Sequence, residues 1–385
     1  MKFTVALPDF QKLVQQVFQA VPPRSTLPVL ENIHFELKDN SLEAVATDQE
    51  LTIISSINVE GDGNGRVLAP ARKLNDIVKA LGNSGTLTVD VDPSLFKLTL
   101  KTDRGEYVMF GLDPNEFPPS PDVAGGVEAS FARSTIQRIA EKTTFAVSKD
   151  EYRPALTGIL FKFNVDSFNA VGTDSIRLAC LTLEGTEDYP LPGTEFEAII
   201  PARTVELMKR AESDTTLRLT STHACFEMNN MTVITRIIDE KFPPYEAIIP
   251  SDNDKLIKFL PSEALGSIKR VSLFSSAISR QVQFKISGDM WTIIGSDHES
   301  GNQATETIPC EYDGDDLDIS FNFRFLQEVL DHVANSNDER AVLAVSTPSK
   351  AVLIKPLVKD GGDGEGEVES KELLMLVMPS RPVNS

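Results

Sequence analysis

The segment LEAVATD at residues 42–48 is similar to FNAVGTD at residues 168–174 and, more weakly, to WTIIGSD at residues 291–297. The aspartate that closes each copy lies 126 and then 123 residues after the preceding one. This period is too long for a solenoid repeat, so we expect each copy to be a domain with its own hydrophobic core.

Two further series keep the same order and nearly the same period. They are PARKL at 70–74, PARTV at 201–205 and FNFRF at 321–325, then FPP at 117–119, FPP at 242–244 and MP at 378–379. The chain of 385 residues is 41% hydrophobic and 24% charged, which suits several globular domains. Pro- and Gly-rich linkers predict domains at residues 1–122, 127–250 and 255–385.

Apolar residues spaced for one face of a helix occur twice in each third of the chain. The predicted helical segments are residues 8–20, 72–82, 133–144, 203–212, 262–274 and 324–335. Between them, apolar and polar residues alternate as in half-buried strands, for example at Ile33, Phe35 and Leu37. We therefore expect an α+β fold of three repeated domains, each with two helices against antiparallel sheets.

The net charge of −20 argues against nucleic acid, because phosphate binding depends on Lys and Arg. The distribution of charge changes this interpretation. The six helical segments together contain thirteen basic and eight acidic residues, whereas the rest of the chain is strongly acidic. Their sum favours a basic helical surface, although a solvated helix face is the ordinary explanation for any single cation.

Catalytic and metal sites are not indicated by the sequence. The repeated aspartates recur in three domains, whereas an enzyme needs one asymmetric site, so we expect them to have a structural role at turns. The histidines lack metal-ligand spacing, and the acidic segment 360–367 lacks the pattern of a calcium loop and is expected to be a mobile hairpin tip. No glycine motif for a nucleotide is present, so we predict a binding protein without cofactor or metal.

Cysteine usage and hydropathy bear on the compartment. Cys180, Cys225 and Cys310 show no Cys-x-x-Cys spacing, which favours a reducing environment. The apolar run at the start is too short for a signal peptide, and no apolar stretch has the length of a membrane span. We expect a cytoplasmic protein with no membrane partner.

The chain resembles the bacterial DNA sliding clamps, the beta subunits of DNA polymerase III, over essentially its full length. The segments that carry the resemblance are MKFTV at 1–5, RSTLPVL at 24–30, PARK at 70–73, TD at 173–174, RLA at 177–179, FPPY at 242–245 and VMP at 377–379. It implies a head-to-tail homodimer of three-domain subunits, closed into a ring with a helical inner wall and a continuous sheet outside.

Such a ring encircles duplex DNA without reading its sequence and tethers replicative polymerase, which confers processivity. The clamp loader and repair or translesion proteins are the other implied partners, each docking through a short apolar peptide. A mildly positive lining inside an acidic exterior suits a ring that must slide. The runner-up is a monomeric acidic scaffold of the same fold that binds peptides without encircling DNA, and an enzyme comes third.

The resemblance also implies site residues. The peptide pocket would be lined by Leu156, Thr173, Ser175, Arg177, Leu178, Pro243, Ala247, Ile248, Ser349, Ala351, Leu376, Met378 and Pro379. DNA would be contacted by Arg24, Arg72, Lys73, Lys79, Arg133, Arg138, Lys142, Lys149, Arg153, Arg203, Lys209, Arg210, Lys269 and Arg270. The subunit interface would pair Tyr107 and Met109 with Leu273 and Phe274. Two positions depart from the family, which has a basic residue at Ala247 and a methionine at Ser380.

Overall fold

The computed structural model describes residues 1–185, 193–336, 339–359 and 367–381. Most of the acidic segment expected to form a hairpin tip, residues 360–366, lies outside the described residues. The last four residues, 382–385, lie outside them as well.

All six predicted helical segments are helical. They are α1 (Leu7–Phe18), α2 (Ala71–Ala80), α3 (Arg133–Thr143), α4 (Ala202–Leu207), α5 (Pro261–Val271) and α6 (Phe323–Val333). A single 3₁₀ turn extends α4 over Met208–Arg210 and α5 over Ser272–Phe274. Proline in the first turn of α1 and α5 costs no hydrogen bond, because the first helical N–H groups have no partner within the helix.

The strands follow the predicted alternation. In the first copy they are β1 (Lys2–Ala6), β2 (Asn32–Lys38), β3 (Ser41–Thr47), β4 (Leu51–Asn58), β5 (Glu60–Asp62), β6 (Gly65–Pro70), β7 (Thr86–Asp92), β8 (Lys97–Thr102) and β9 (Gly105–Phe110). In the second they are β10 (Val127–Phe131), β11 (Gly158–Phe163), β12 (Ser167–Thr173), β13 (Arg177–Glu184), β14 (Phe196–Pro201), β15 (Thr215–Leu219), β16 (His223–Glu227) and β17 (Met231–Arg236). In the third they are β18 (Lys255–Phe259), β19 (Gln281–Ser287), β20 (Met290–Asp297), β21 (Asn302–Pro309), β22 (Leu317–Asn322), β23 (Ala341–Val345), β24 (Val352–Lys359), β25 (Glu367–Glu369) and β26 (Leu373–Val377).

One compact unit contains residues 1–134 and 211–237. Its two antiparallel sheets have the strand orders β5-β1-β7-β8-β9 and β10-β15-β16-β17-β4-β3-β2-β6. The pairing of β4 with β17 joins the sheet of the first copy to strands of the second, with Thr52 opposite Ile234. Because this ladder crosses the expected domain boundary, part of the second copy belongs to the first compact unit.

The other compact unit contains residues 135–210 and 238–385. Its sheets have the orders β14-β11-β12-β13-β26-β24-β23-β18, with β25 on β24, and β21-β20-β19-β22. Here β13 of the second copy pairs with β26 of the third, with Leu178 opposite Leu376. The α+β class with antiparallel sheets is confirmed, whereas the three domain boundaries stay a prediction.

The repeated aspartates are turn residues, as predicted. One carboxylate oxygen of Asp48 accepts hydrogen bonds from the backbone N–H groups of Glu50 and Leu51, at 3.1 and 2.8 Å. Asp174 does the same for Ile176 and Arg177, both at 2.9 Å. Each aspartate thus satisfies the backbone where one strand turns into the next.

Aromatic side chains fill the core of the four-stranded sheet of the third copy. The only tryptophan of the chain, Trp291, is buried there. Its ring meets Phe259 edge-on at a centroid distance of 4.9 Å and Phe284 at 5.2 Å. Such contacts add to the free energy gained by burial.

Candidate protein and nucleic-acid interfaces

An apolar cluster lies beneath the predicted peptide pocket, in the unit that contains β13 and β26. Its buried members are Leu160, Val171, Leu178, Cys180, Ile199, Phe242, Tyr245, Ala344, Leu353 and Leu376. Among the predicted pocket residues, Arg177 is buried, and so are Leu156, Thr173, Leu178 and Leu376. These four residues belong to the core, so they can shape the floor of a pocket but offer little surface to a partner.

Above this floor lies an accessible rim. The side chains of Ile248 and Met378 are 49% and 39% exposed. Ser175, Pro243, Ala247 and Ser349 are also exposed, and Ala351 and Pro379 are partly buried. The backbone N–H of Met378 donates to the carbonyl of Ile176 at 2.8 Å, which fixes the C-terminal segment to the Asp174 turn. Ile176 is itself exposed and apolar. It was not predicted as a pocket residue, because its position two residues after Asp174 was the only signal available in the sequence.

Arg177 is the one charged residue in the predicted pocket set, and it is buried. Its guanidinium pairs with Asp174 at 3.2 Å and with Glu328, to which it donates a hydrogen bond. Two rings flank it, Phe145 of its own copy at 5.4 Å and Phe325 of the third copy at 5.2 Å. Arg177 therefore holds the second copy against the third, and its role in a pocket is to position the turn that carries Ser175.

Lys142 was predicted to contact DNA, but the structure gives it another role. Its ammonium is buried and donates hydrogen bonds to the carbonyls of His332 at 2.7 Å and Ala334 at 3.2 Å. These carbonyls end α6, where a helix presents partial negative charge. Burial lowers the pKa of the Lys142 ammonium. The residue therefore belongs to the junction of α3 with α6 and not to a DNA-facing surface.

Most of the other predicted DNA contacts are exposed, and several also have protein partners. Several are held by protein partners: Arg138 by Glu372, Arg153 by Asp150, Lys209 by Glu206, Arg270 by Glu306, and Arg72 by the carbonyls of Pro22 and Pro23. Arg72, Arg153 and Arg270 are nonetheless exposed, and so are Arg24, Lys73, Lys79, Arg133, Lys149, Arg203, Arg210 and Lys269. The cations are thus mostly at the surface, and carboxylates within the chain partly neutralise four of them, Arg138, Arg153, Lys209 and Arg270.

The predicted interface residues come from both compact units: Tyr107 and Met109 lie on β9, and Leu273 and Phe274 lie in the 3₁₀ turn after α5. Among the described residues, β9 ends one sheet and β21 ends another. Leu273 is 82% exposed and Phe274 is also exposed, as an interface requires. Met109, however, is buried opposite Leu98 and belongs to the core of its own sheet. The exposed apolar residues of β9 are Val108 and Phe110. Because side chains alternate along a strand, they lie on the face opposite to Tyr107 and Met109.

The three cysteines are buried, and burial raises the pKa of Cys180 and Cys310 to about 11 and that of Cys225 to about 12. Within the described ranges, no group of three or more His, Cys, Asp or Glu side chains could hold a metal ion. A helix long and apolar enough to cross a membrane does not occur among those residues either.

The sequence matches three consecutive parts of one family. These are the N-terminal, central and C-terminal domains of the DNA polymerase III beta subunit, matched by residues 1–121, 130–244 and 246–362. Relatives include the beta sliding clamp of Pseudomonas aeruginosa, 28% identical over 358 residues that cover 91% of this chain and 95% of that protein. The beta sliding clamp of Vibrio cholerae is 25% identical over 342 residues, covering 88% and 92%.

Solved structures resemble the fold closely. A sliding clamp of Pseudomonas aeruginosa bound to griselimycin has a TM-score of 0.89 and 26% identity, covering 99% of this chain and 100% of that chain. A sliding clamp of Bartonella birtlesii, also bound to griselimycin, has a TM-score of 0.88 and 25% identity with the same coverage.

Replacing Arg177 by methionine should lower the free energy of unfolding by about 1.5–3 kcal/mol, because hydrogen bonds to charged groups are lost at a buried site. The matched control is Arg236→Met, which removes an exposed pair with Glu50 at 3.9 Å and should change stability by less than about 0.5 kcal/mol. Urea unfolding followed by circular dichroism measures both. Equal shifts in the two variants would contradict the structural role of Arg177.

Proposed function

The chain belongs to the family of DNA polymerase III beta subunits, the beta sliding clamps, and from this membership we propose that two copies close into a ring around duplex DNA. The ring would tether replicative polymerase and thereby confer processivity in DNA replication. Members of this family are processivity factors rather than enzymes, and work on the bacterial chromosome would place the protein in the cytoplasm. A monomeric peptide-binding scaffold is not favoured.

One observation supports ring closure more than any other. The strand after the Asp48 turn, β4, pairs with β17, the last strand of the next copy. The strand after the Asp174 turn, β13, pairs with β26, which is again the last strand of the next copy. By the same rule β21, which follows Asp297, should pair with β9 of a second molecule. Both strands end their sheets among the described residues, and open edges invite pairing.

The proposed lining of the ring is formed by the cations on the six helices, together with Arg24, Lys149 and Arg153 in loops. Tyr152, whose side chain is 98% exposed, lies in the same loop as Lys149 and Arg153. Lys142 is omitted because its ammonium is bound to the end of α6. Contacts of this kind are made with phosphates and carry no sequence preference, which suits a protein that must move along DNA.

The proposed partner site has two layers. Partners would place apolar side chains of a short peptide between Ile248 and Met378, over the buried cluster that contains Leu178 and Leu376. A concave apolar site with a few polar groups at its rim is the usual form of such a pocket. Replicative polymerase, the clamp loader and repair or translesion proteins are the proposed owners of such peptides.

We expect the protein, once loaded on a nicked circular duplex, to stay bound at high salt and to leave when the circle is cut. Topology rather than affinity for phosphate would hold it, since phosphate affinity falls steeply with salt. Gel filtration of the protein–DNA complex before and after linearisation measures retention. Equal loss from circular and linear DNA would overturn the ring.

Changing Leu273 and Phe274 together to aspartate should convert a dimer into a folded monomer, because two charges would be buried at the contact. The matched control changes Tyr152 and Val165, which are also exposed and apolar, to aspartate. Analytical ultracentrifugation at micromolar concentration measures the mass. A dimeric Leu273/Phe274 variant, or a monomeric control, would contradict this assignment of the interface.

Ile248→Asp should weaken binding of a polymerase-derived peptide at least tenfold, because the charge lies where the peptide must exclude water. Leu178→Asp is a poorer test than the surface change, since Leu178 is completely buried and a carboxylate there would damage the fold. Isothermal titration with the peptide measures the affinity, and Val165→Asp is the control. Unchanged affinity in Ile248→Asp would place the partner site elsewhere.

A further inference from the structure

Two cations lie at equivalent positions of the first and second copies. Lys12 is the sixth residue of α1, and Arg138 is the sixth residue of α3. Each lies 36 residues before the repeated aspartate of its own copy, Asp48 or Asp174. The repeat therefore places a positive charge at the same point on the first helix of two domains.

Each of these cations is paired with a glutamate of the following copy. Lys12 donates to Glu212, and the Arg138 guanidinium donates to Glu372 at 2.6 Å. The four side chains are between 34% and 58% exposed, so the pairs lie at the surface and within reach of solvent. Because the arrangement recurs in two copies, we interpret the carboxylates as a regular part of the helical surface.

The third copy reaches the same result with different residues. Its first helix, α5, has Gly266 at the sixth position, and the paired cation is Arg270, about one turn further along. The Arg270 guanidinium donates two hydrogen bonds to Glu306 on β21, at 2.8 and 2.6 Å. The first helix of every copy thus presents a cation that already has a carboxylate partner.

We infer that Glu212, Glu306 and Glu372 limit the attraction between the helical lining and DNA, and so keep the ring mobile. This inference rests on the proposed function. A phosphate that approaches Lys12, Arg138 or Arg270 must compete with the carboxylate, and a cation that is already paired adds less to the release of counterions from DNA. The three glutamates thereby make the affinity for DNA less dependent on salt concentration. They also weaken the attraction between the ring and any one position along the duplex.

The ion pairs could instead serve only to hold structural elements together, between copies for Lys12 and Arg138 and within the third copy for Arg270. Substitutions on the two sides of each pair separate these roles. Changing the three glutamates to glutamine breaks the pairs and frees the cations. Changing Lys12, Arg138 and Arg270 to glutamine breaks the same pairs and removes the cations. A tie alone would make both triple variants alike toward DNA, whereas attenuation of charge would make them differ.

The measurement is fluorescence anisotropy of a short linear duplex titrated with each protein between about 50 and 200 mM salt. For the variant Glu212→Gln/Glu306→Gln/Glu372→Gln, the slope of log K against log salt should steepen by up to about 2.7, or about 0.9 for each freed cation. The variant Lys12→Gln/Arg138→Gln/Arg270→Gln should keep a slope close to that of the wild type. If a triple variant folds poorly, single Glu306→Gln and Arg270→Gln changes replace it, with an expected difference of about 0.9.

The matched control is Glu50→Gln/Glu128→Gln/Glu227→Gln, which has the same net charge as the variant of the three helix-paired glutamates. It frees Arg218 and Arg236, which lie on strands instead of helices. Its slope should stay near that of the wild type. A control slope as steep as that of the glutamate variant, or an unchanged slope in the glutamate variant, would overturn the inference. Loss of retention on circular DNA by the wild type would overturn the proposed function instead.

Discussion

The structure depends on a rule for pairing sheet edges. A strand at the edge of a sheet exposes backbone groups that need partners, and this chain meets the need by pairing the strand after each aspartate turn with the last strand of the following copy. Within one molecule the rule can operate twice, at β4 with β17 and at β13 with β26. In the described ranges, β21 and β9 each end a sheet, so one strand of each kind is left for a second molecule to pair with in a head-to-tail arrangement.

The same turns connect the scaffold with the candidate partner site. Asp174 holds the backbone that leads into β13, and Arg177 on that strand reaches Glu328 of the third copy. The segment after β26 returns to this turn through the bond from Met378 to Ile176. The proposed pocket would consequently lie where two copies meet, with a floor that is part of the core that holds them together. Affinity for peptides and stability of the junction should therefore be coupled.

Much of this was predictable from the sequence. Periodicity located the six α-helices of the described residues, because each buries one apolar face, and the repeated aspartates indicated turns. The pairing of strands between copies was less accessible, since a ladder such as β4–β17 joins residues far apart in the chain. Burial was harder still: Lys142 and Met109 look like surface residues in a linear pattern, yet one binds helix carbonyls and the other fills a sheet core. Ion pairs such as Arg138 with Glu372 depend wholly on tertiary contacts.

The lone indole ring provides a natural optical probe. Trp291 lies in the dry aromatic core of the third copy and, being the only tryptophan, dominates the ultraviolet emission of the whole chain. Its emission should be shifted to short wavelength while that core is intact and move to longer wavelength when water reaches it. Comparison of this signal with circular dichroism, which averages over all the sheets, would reveal whether the third copy melts together with the rest or at a temperature of its own.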